Sequence, residues 1–556
     1  MKFFLRFADL WVLLRFMCRR NWWLVASFAL FGLLGYWLAR TAVPRDRGRL
    51  ASARAGHEVT RRTGADDPAP RFQSGVREPL PPAATTDDEA LKAGALAGQR
   101  VVVFKDKAAL EAFLKRAGDT VRLLGRLDAL NALRVGFSNY ADLAALMQGE
   151  EKESLIYPVD LPKPLPSDGT AQPGAVALGA GLLEWLGITT DNSAWGQGVK
   201  IAVLDTGVTT STAFSSSISS LNLVDLTATQ NGHGTAVASM IIGRNALTPG
   251  VAPGAEIISI RIADDLGASD SFLLAKGIVA AVDRGAMLLN ISMGSAGDSA
   301  LVRNALEYAR LAGSLVIAAA GNNGLERVSY PAANDGVIAV GAVDAAGNHL
   351  DFSNSGAQVA IAAPGYGVNA AWTGNKAASV NGTSFSAPIV TGAIAALMSQ
   401  PGAARLTPQQ AKSLLFAYLN DGGEAGNDSA LGGGMPDLGR AMNAKKPGIY
   451  DAALASQRLI PPDSKNPNGQ VEIMVQNRGT EPLINTGVRI STPSGVTVSN
   501  ITQLAVNGVK TIRVSIPSKA TGNLRYESTV NLSGGRQDSK PSNDRRVEIY
   551  VPTIPK

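Results

Sequence analysis

The sequence predicts an α/β domain with a doubly wound parallel sheet over residues 182–443. A smaller ferredoxin-like α+β domain is predicted before it (99–160), and a β-sandwich after it (467–556). The α/β domain is indicated by continuous apolar strands such as 200–204 (KIAVL), which alternate with helical stretches such as 271–283. A chain of 556 residues is long enough for several domains of this size.

The two flanking domains are predicted from different periodicities. Residues 99–160 alternate between strand and helix patterns in the order βαββαβ, which fits a ferredoxin-like plait. Its closing strand is predicted over Ser154–Val159. Residues 467–552 instead carry six or seven short runs of alternating apolar residues separated by Asn, Gly, Pro and Ser, which favours a sandwich. Three segments have the composition of linkers, and the first is expected to be disordered: 41–98, 161–181 and 444–466.

The basic character of the chain belongs to its N-terminal segment. The net charge is +6, but residues 1–62 hold 12 Lys or Arg against 3 Asp or Glu, so the other residues together are slightly acidic. The charge therefore does not indicate a nucleic-acid partner. Residues 22–39 carry no charge and would span about 27 Å as a helix, enough to cross a bilayer core. Residues 1–40 are therefore predicted to be a cytoplasmic tip with a membrane anchor, the alternative being a cleaved signal peptide.

Cysteine and histidine are scarce. Cys18 is the single cysteine, which excludes an intrachain disulfide and a metal site built on several cysteines. His57, His233 and His349 are the only histidines, which leaves little material for a histidine-based metal centre. No metal-ligating residues are assigned.

Four residues of the α/β domain form a candidate catalytic set. Asp205 and Asn322 end apolar strands, His233 lies between two glycines where a helix begins, and Ser384 lies near the start of another helix. In doubly wound sheets, active sites lie beyond the carboxyl ends of the strands. A serine attacks a carbonyl only when a base takes its proton, and histidine does this near neutral pH. Asp205 would orient His233, and Asn322 would stabilise the oxyanion.

These residues lie in motifs that are specific to one family. Residues 182–443 resemble the subtilisin-like serine proteases (subtilases) in AVLDTGV (202–208), NGHGTAVAS (231–239) and NGTSFSAP (381–388). The resemblance implies a serine endopeptidase that cleaves polypeptide substrates through an acyl-enzyme. It also implies substrate-binding residues, which form two walls and the floor of the pocket before the cleaved bond: Ser292, Met293 and Gly294; Ala319, Ala320 and Gly321; and Ser329. No acidic residue lines these segments, so a modest apolar side chain is expected there.

The resemblance does not imply a cofactor for catalysis. Many subtilases carry a calcium-binding loop between the histidine helix and the following strand, and here that link is only GRNALTP (243–249). A structural calcium ion is left open, without an assigned site. Asp264, Asp265 and Asp270 are interpreted as solvated loop acids rather than ligands.

The resemblance also gives the flanking domains expected roles. Residues 99–160 are similar to propeptides that assist folding and then block the cleft as an intramolecular inhibitor, with autoprocessing expected within 160–181; a permanent regulatory domain is the alternative. The protein would be membrane-anchored with its catalytic domain extracytoplasmic, or secreted after processing. Residues 467–556 resemble Ig-like or CARDB-type modules, which either bind a partner or stabilise the enzyme. A different functional class stays open: a membrane-tethered binding or adhesion protein with an inactive protease-like domain.

Overall fold

The computed structural model of the protein describes residues 86–550, except 150, 162–171, 173, 215–217, 225–230, 401–403, 461–468 and 517–522. All described residues belong to one compact unit of the chain, Leu80–Lys556. Within them, no helix is both long enough and apolar enough to cross a membrane. The predicted anchor at 22–39 and most of the predicted linker 41–98 lie outside the described residues.

The N-terminal part is a four-stranded antiparallel sheet with helices on one face. Its strands pair in the order β2-β3-β1-β4. One face carries Val102 and Leu133 and packs against both helices of the plait, while the other face carries Val101 and packs against the catalytic part. The elements are α1 (Asp87–Lys92), β1 (Gln99–Val103), α2 (Lys107–Ala117), β2 (Arg122–Leu127), β3 (Ala132–Gly136), α3 (Tyr140–Leu146) and β4 (Lys152–Ser154).

Two sequence predictions differ from the structure here. The predicted linker 41–98 includes α1, which begins with a capping box at Thr86 and buries Ala90. Six residues are too few for a helical period to show in the sequence. The predicted closing strand 154–159 is also divided, because only β4 joins the sheet. Residues Pro158–Asp160 form β5, which pairs with the catalytic part instead.

The catalytic part contains a seven-stranded parallel sheet, so the predicted α/β fold with a parallel sheet is confirmed. The strands lie in the order β15-β14-β13-β12-β6-β10-β7. Their ranges are β6 (Lys200–Asp205), β7 (Ile218–Asn222), β10 (Glu256–Arg261), β12 (Leu288–Ile291), β13 (Leu315–Ala319), β14 (Val337–Val343) and β15 (Val359–Pro364). Smaller strands of this part are β8 (Arg244–Asn245), β9 (Thr248–Pro249), β11 (Ala268–Asp270), β16 (Val368–Trp372) and β17 (Lys376–Val380).

Helices cover both faces of this sheet, because its strands are apolar on both sides. Ile201 and Val203 of β6 face one helix layer, while Ala202 and Leu204 face the other. The first layer consists of α4 (Leu182–Trp185), α5 (His233–Ile242), α8 (Thr383–Met398), α9 (Pro408–Ala417) and α10 (Leu438–Met442). The second layer consists of α6 (Ser271–Asp283) and α7 (Ala300–Leu311). Every residue of α8 is buried, so this helix is the centre of the domain.

The C-terminal part consists of two antiparallel sheets around one apolar core. One sheet has the order β18-β19-β22 and the other β21-β20-β23-β24. The strands are β18 (Ala452–Ile460), β19 (Gln470–Asn477), β20 (Leu483–Thr492), β21 (Gly495–Leu504), β22 (Val509–Ser515), β23 (Leu524–Asn531) and β24 (Arg545–Tyr550). The predicted linker 444–466 therefore contains a strand. The sequence hides β18 because its first six residues are all buried, which removes the alternation that marks a half-exposed strand.

Arg440 joins the catalytic and C-terminal parts. Its guanidinium donates to the Leu419 carbonyl (2.9 Å) and to Asn420 Oδ1 (2.7 Å) on the catalytic side. It also donates to the Arg478 carbonyl (3.0 Å) and to Asn507 Oδ1 (2.6 Å) on the C-terminal side. One side chain therefore satisfies acceptors in both parts.

Candidate active site

The fold brings Asp205 and His233 into direct contact. Asp205 ends β6 and is fully buried, and both of its carboxylate oxygens lie 2.9 Å from His233 Nδ1 at the start of α5. The backbone N–H of Thr206 donates to Asp205 Oδ1 at 2.7 Å, which fixes the orientation of the carboxylate. Because the carboxylate faces Nδ1, that nitrogen carries the proton in the neutral ring and Nε2 is left as the basic nitrogen.

Gly234 makes this contact sterically feasible. A Cβ at this position would overlap the Gly207 carbonyl and lie 3.2 Å from Asp205 Oδ1. The absence of a side chain lets the first turn of α5 pack directly on the loop that follows β6. Gly234 therefore serves the packing of α5 on the end of β6.

Ser384 is the second residue of α8 and is 1% exposed. Its hydroxyl donates to the Ser292 carbonyl at 3.0 Å, and the Ser292 hydroxyl donates back to the Ser384 carbonyl at 2.8 Å. The ring of Phe385, the next residue, lies 5.3 Å from the His233 ring between centroids. The structure therefore places Ser384 and His233 at the same edge of the sheet, with the serine hydroxyl hydrogen-bonded to the strand end after β12.

Asn322 follows β13 and is held by the first turn of α8. Its Oδ1 accepts from the backbone N–H of Thr383 (2.9 Å) and from the Thr383 hydroxyl (2.7 Å). These bonds turn the amide nitrogen toward Gly382, where a Cβ would lie 2.7 Å from Nδ2. Gly382 has a φ of +136°, so a glycine is favoured there on conformational grounds as well. The Asn322 amide nitrogen, a hydrogen-bond donor, therefore points to Gly382, which directly precedes Thr383 and Ser384.

Six of the residues predicted to bind substrate lie at the ends of the neighbouring strands β12 and β13, and Ser329 lies in the connection between β13 and β14. Ser329 lies between the two predicted walls, since a Cβ on Gly294 would be 3.1 Å from its Cβ and one on Gly321 would be 2.5 Å from its Oγ. Met293 and Ala320 belong to one apolar cluster, whereas Ala319 packs into the cluster on the opposite side of the sheet. The structure therefore brings Ser329, Gly294 and Gly321 together, and it places the Ala319 side chain away from them.

Asn354 is a residue of this site that the sequence analysis did not single out. Its fully buried amide accepts from the backbone N–H groups of Asn323 and Leu325 (both 3.0 Å). It donates to the Ala320 carbonyl (3.2 Å) and to Ser329 Oγ (3.3 Å). The bonded residues lie on both sides of Asn322 in the sequence, one before it and three after it. The only sequence signal is an Asn within the loop FSNSG (352–356), which does not reveal a buried contact distant in sequence.

One predicted loop acid has a structural role. Asp270 is 7% exposed and caps α6, because Oδ1 accepts from the backbone N–H groups of Phe272 and Leu273. Its other oxygen pairs with Arg134 of the N-terminal part at 2.7 Å. The interpretation of Asp270 as a solvated acid is therefore wrong, since an acid directly before an apolar helix is a capping residue. Among the described residues, no group of three or more His, Cys, Asp or Glu is placed to hold a metal ion.

Comparisons with known proteins agree with this geometry. The subtilase family model (Peptidase S8) matches residues 196–434, which include all four candidate catalytic residues. A thermostable alkaline protease of Halalkalibacterium halodurans is 35% identical over 258 residues, covering 44% of this chain and 68% of that protein. Subtilisin BL of Lederbergia lenta is 41% identical over 211 residues, covering 37% of this chain and 77% of that protein. The chain belongs to the subtilase family. It is a subtilisin-like serine peptidase, and its substrates are polypeptides.

Among solved structures, the protease domain of PatA, determined as a mutant, is 31% identical with a TM-score of 0.43. The alignment covers 47% of this chain and 99% of that domain.

The space between β11 (Ala268–Asp270) and Gly294, called the cleft below, contains a segment of the same chain. β5 (Pro158–Asp160) pairs antiparallel with β11 (Ala268–Asp270) at the edge of the cleft. On the other side, the Asp160 N–H donates to the Gly294 carbonyl (3.0 Å), and the Gly294 N–H donates to the Asp160 carbonyl (3.1 Å). The segment is thus held as a strand between β11 and the predicted pocket wall.

Proposed function

We propose that this subtilase is a serine endopeptidase in which Ser384 is the nucleophile, His233 the general base and Asp205 the residue that orients the histidine. The single observation that supports this most strongly is the contact of both Asp205 oxygens with His233 Nδ1, which leaves Nε2 to take the serine proton. The Ser384 hydroxyl must exchange its bond to the Ser292 carbonyl for one to His233 before it attacks. His233 then returns the proton to the leaving amine.

Asn322 and the backbone N–H of Ser384 are the proposed oxyanion donors. The two bonds from Thr383 to Asn322 Oδ1 fix the amide before substrate arrives, so no reorganisation is needed as the charge develops. Ser384 also lies in the first turn of α8, where the partial positive charge of the helix favours an anion. Both effects stabilise the tetrahedral intermediate more than the substrate, which is the requirement for catalysis.

Ser329 makes the pocket before the cleaved bond shallow in this proposal. Its side chain fills the space between Gly294 and Gly321, so a small or modest apolar side chain fits better than a long one. Cleavage of a peptide library tests this: small residues are expected immediately before the cut, and a dominant preference for Lys, Arg or large aromatic residues would contradict it.

The N-terminal part is the proposed inhibitory prodomain. Its sheet packs on the apolar cluster that contains α6 and α7, and Arg134 pairs with Asp270 at the contact. Its last strand, β5, lies in the cleft, where a substrate strand would have to pair with the same edges. These contacts support an inhibitor that blocks substrate access for as long as it stays bound.

The register of the cleft strand supports a position for autoprocessing. Asp160 pairs with Gly294 in an antiparallel bridge, so a strand continuing in that register would place the second residue after Asp160 opposite Ser292. The Ser292 carbonyl is the group to which the Ser384 hydroxyl donates. We therefore propose that the chain is cut within residues 161–164. The cut would separate the catalytic part from the proposed membrane anchor at 22–39 and release a secreted enzyme.

Two measurements on the full chain test the proposed function. A fluorophosphonate probe is expected to label the wild type and the Ser386→Ala variant but not Ser384→Ala; Ser386 is a matched control because it lies on the same helix and its hydroxyl bonds to Pro364 instead. Equal labelling of Ser384→Ala would refute the role of this serine. N-terminal sequencing of the active wild type should start within residues 162–164, whereas Ser384→Ala stays uncut. An active enzyme that begins upstream of residue 99 would contradict prodomain release.

For the C-terminal part we propose a stabilising role. Arg440 and the bond from Gln476 Nε2 to the Leu419 carbonyl (3.1 Å) fasten it to the catalytic part at a buried contact. Removing it would take away the acceptors of two Arg440 N–H groups and expose this buried contact to water. A lower Tm after deletion of residues 445–556, without loss of the activity of the protein that remains folded, is the expected result.

A further inference from the structure

The strand in the cleft continues for one residue beyond β5. The Tyr157 N–H donates to Ser271 Oγ (3.1 Å), and the Ser271 N–H donates to the Tyr157 carbonyl (2.9 Å). Tyr157 and Val159 are 7% and 1% exposed, while the alternate residues are more accessible. Because side chains alternate along a strand, Tyr157 and Val159 project toward the same surface.

The Tyr157 ring lies directly on the backbone of Gly297. A Cβ at Gly297 would overlap three atoms of the ring, so only a glycine permits this approach. Gly297 has no unusual φ, so its backbone conformation does not require a glycine. The lack of a side chain at Gly297 therefore leaves a flat notch that fits the face of an aromatic ring. Contact with this ring explains why a glycine is required at the position.

The polar end of the ring lies near a pair of charges. Burial raises the pKa of the Tyr157 hydroxyl; the charge of Asp298 acts in the same direction and that of Arg303 opposes it. Asp298 and Arg303 form an ion pair with each other and are partly exposed.

The opposite side of Tyr157 packs against the N-terminal part itself, on Ala90 and Ala95. When that part leaves, the Gly297 notch and the Ser271 hydrogen-bonding groups stay on the catalytic part and become accessible. They could then bind an aromatic side chain and the backbone of another polypeptide in the same way.

We propose that Gly297 forms the floor of an extended substrate subsite for an aromatic side chain. The aromatic residue lies three positions before the substrate residue that pairs with Gly294 and two before the one that replaces Val159. This inference rests on the proposed function, because it takes the cleft strand as the pattern for a bound substrate. It assigns the enzyme a preference among polypeptides for an aromatic residue well upstream of the cut.

The test uses the active enzyme obtained from the full chain and two quenched fluorescent peptides. One has the sequence of residues 154–166 (SLIYPVDLPKPLP), and the other differs only by Tyr157→Ala. The wild type is expected to cleave the first with a kcat/KM about tenfold higher, since roughly this factor corresponds to partial burial of an aromatic ring. The Gly297→Ala variant should cleave the first peptide about tenfold more slowly and the second at the wild-type rate, so that the preference disappears.

The matched control is Gly487→Ala, because Gly487 lies in the C-terminal part and a Cβ there would meet only the Asn531 carbonyl at 4.0 Å. It should keep the tenfold preference. Equal cleavage of both peptides by the wild type would refute the subsite and leave the proposed function intact. If neither peptide is cleaved faster than by Ser384→Ala, the proposed function itself is refuted. The two-peptide comparison in the wild type decides the matter even where the Gly297→Ala protein fails to fold.

Discussion

Asn354→Ala should reduce catalysis although the residue touches neither the nucleophile nor its base. The buried amide makes four side-chain hydrogen bonds to residues 320, 323, 325 and 329, which enclose the turn that carries Asn322. The space beside Gly321 is filled by the same amide, since a Cβ on Gly321 would overlap Asn354 Nδ2. Truncation to alanine removes all four bonds and opens a gap beneath the turn.

The size of the effect follows from these contacts. A hydrogen bond contributes roughly 1 kcal/mol net, so the loss of four predicts a decrease of about 2–4 kcal/mol in the free energy of unfolding. Removal of a whole oxyanion donor costs about 10²- to 10³-fold in kcat. Because Thr383 still holds Asn322 Oδ1, the donor is displaced rather than lost, and we expect about a 10- to 100-fold decrease in kcat.

Steady-state kinetics on a small peptide substrate, well below the Tm of the variant, separate this effect from instability. KM should change little, because the bonds of Asn354 support the transition-state donor rather than the strands that pair with substrate. Asn348→Ala is the matched control: within the described part of the chain its side-chain amide bonds only to the nearby Asp344 (3.2 Å), so kcat should stay at the wild-type value. A lowered Tm with unchanged kcat would show that Asn354 is only structural, and a rise in KM alone would also refute its positioning role.

Three further outcomes are expected. Asn322→Ala removes the proposed side-chain donor and should lower kcat by about 10²- to 10³-fold with KM nearly constant in steady-state assays; an unchanged kcat would contradict the assignment. Gly232→Ala directs a methyl group into the ring of Trp372 and should cost roughly 1–3 kcal/mol, seen as a lower Tm in calorimetry. Burial, followed by the charges of Asp538 and Asp451, raises the pKa of Asp544 to about 7. The folded protein therefore keeps a proton that the unfolded chain releases from about pH 4 upward, so stability falls as the pH rises toward 7. Asp544→Asn should raise Tm more at pH 8 than at pH 4; equal shifts would exclude this linkage.

The sequence predicted the parts of the site that depend on strand ends. Asp205 ends β6, Asn322 follows β13, and His233 and Ser384 lie in the first turns of helices, so parallel topology alone brings them to one edge. The hydrogen bond of Ser384 to Ser292 could not be predicted in this way. It depends on the side-chain conformation in a packed site, which no local pattern encodes.

The helix and the strand that the sequence did not predict have a different cause in common. The helix Asp87–Lys92 and the strand Ala452–Ile460 are stabilised by contacts with distant segments rather than by a local period. The capping role of Asp270 was visible in the sequence as an acid before an apolar helix, but its pairing with Arg134 joins residues 136 positions apart. Single-sequence periodicity detects amphipathic elements and does not detect such contacts.

The side chain of Arg440 has a consequence for how the enzyme would meet a surface. Because one guanidinium satisfies acceptors on both sides of the junction, rotation of the C-terminal part about that junction would break several charge-assisted hydrogen bonds at once. The C-terminal part is therefore held in one orientation relative to the catalytic part, rather than attached through a flexible linker. Any surface to which it adhered would present the catalytic cleft at a single angle, so the reach of the enzyme along that surface would be set by geometry instead of by linker length.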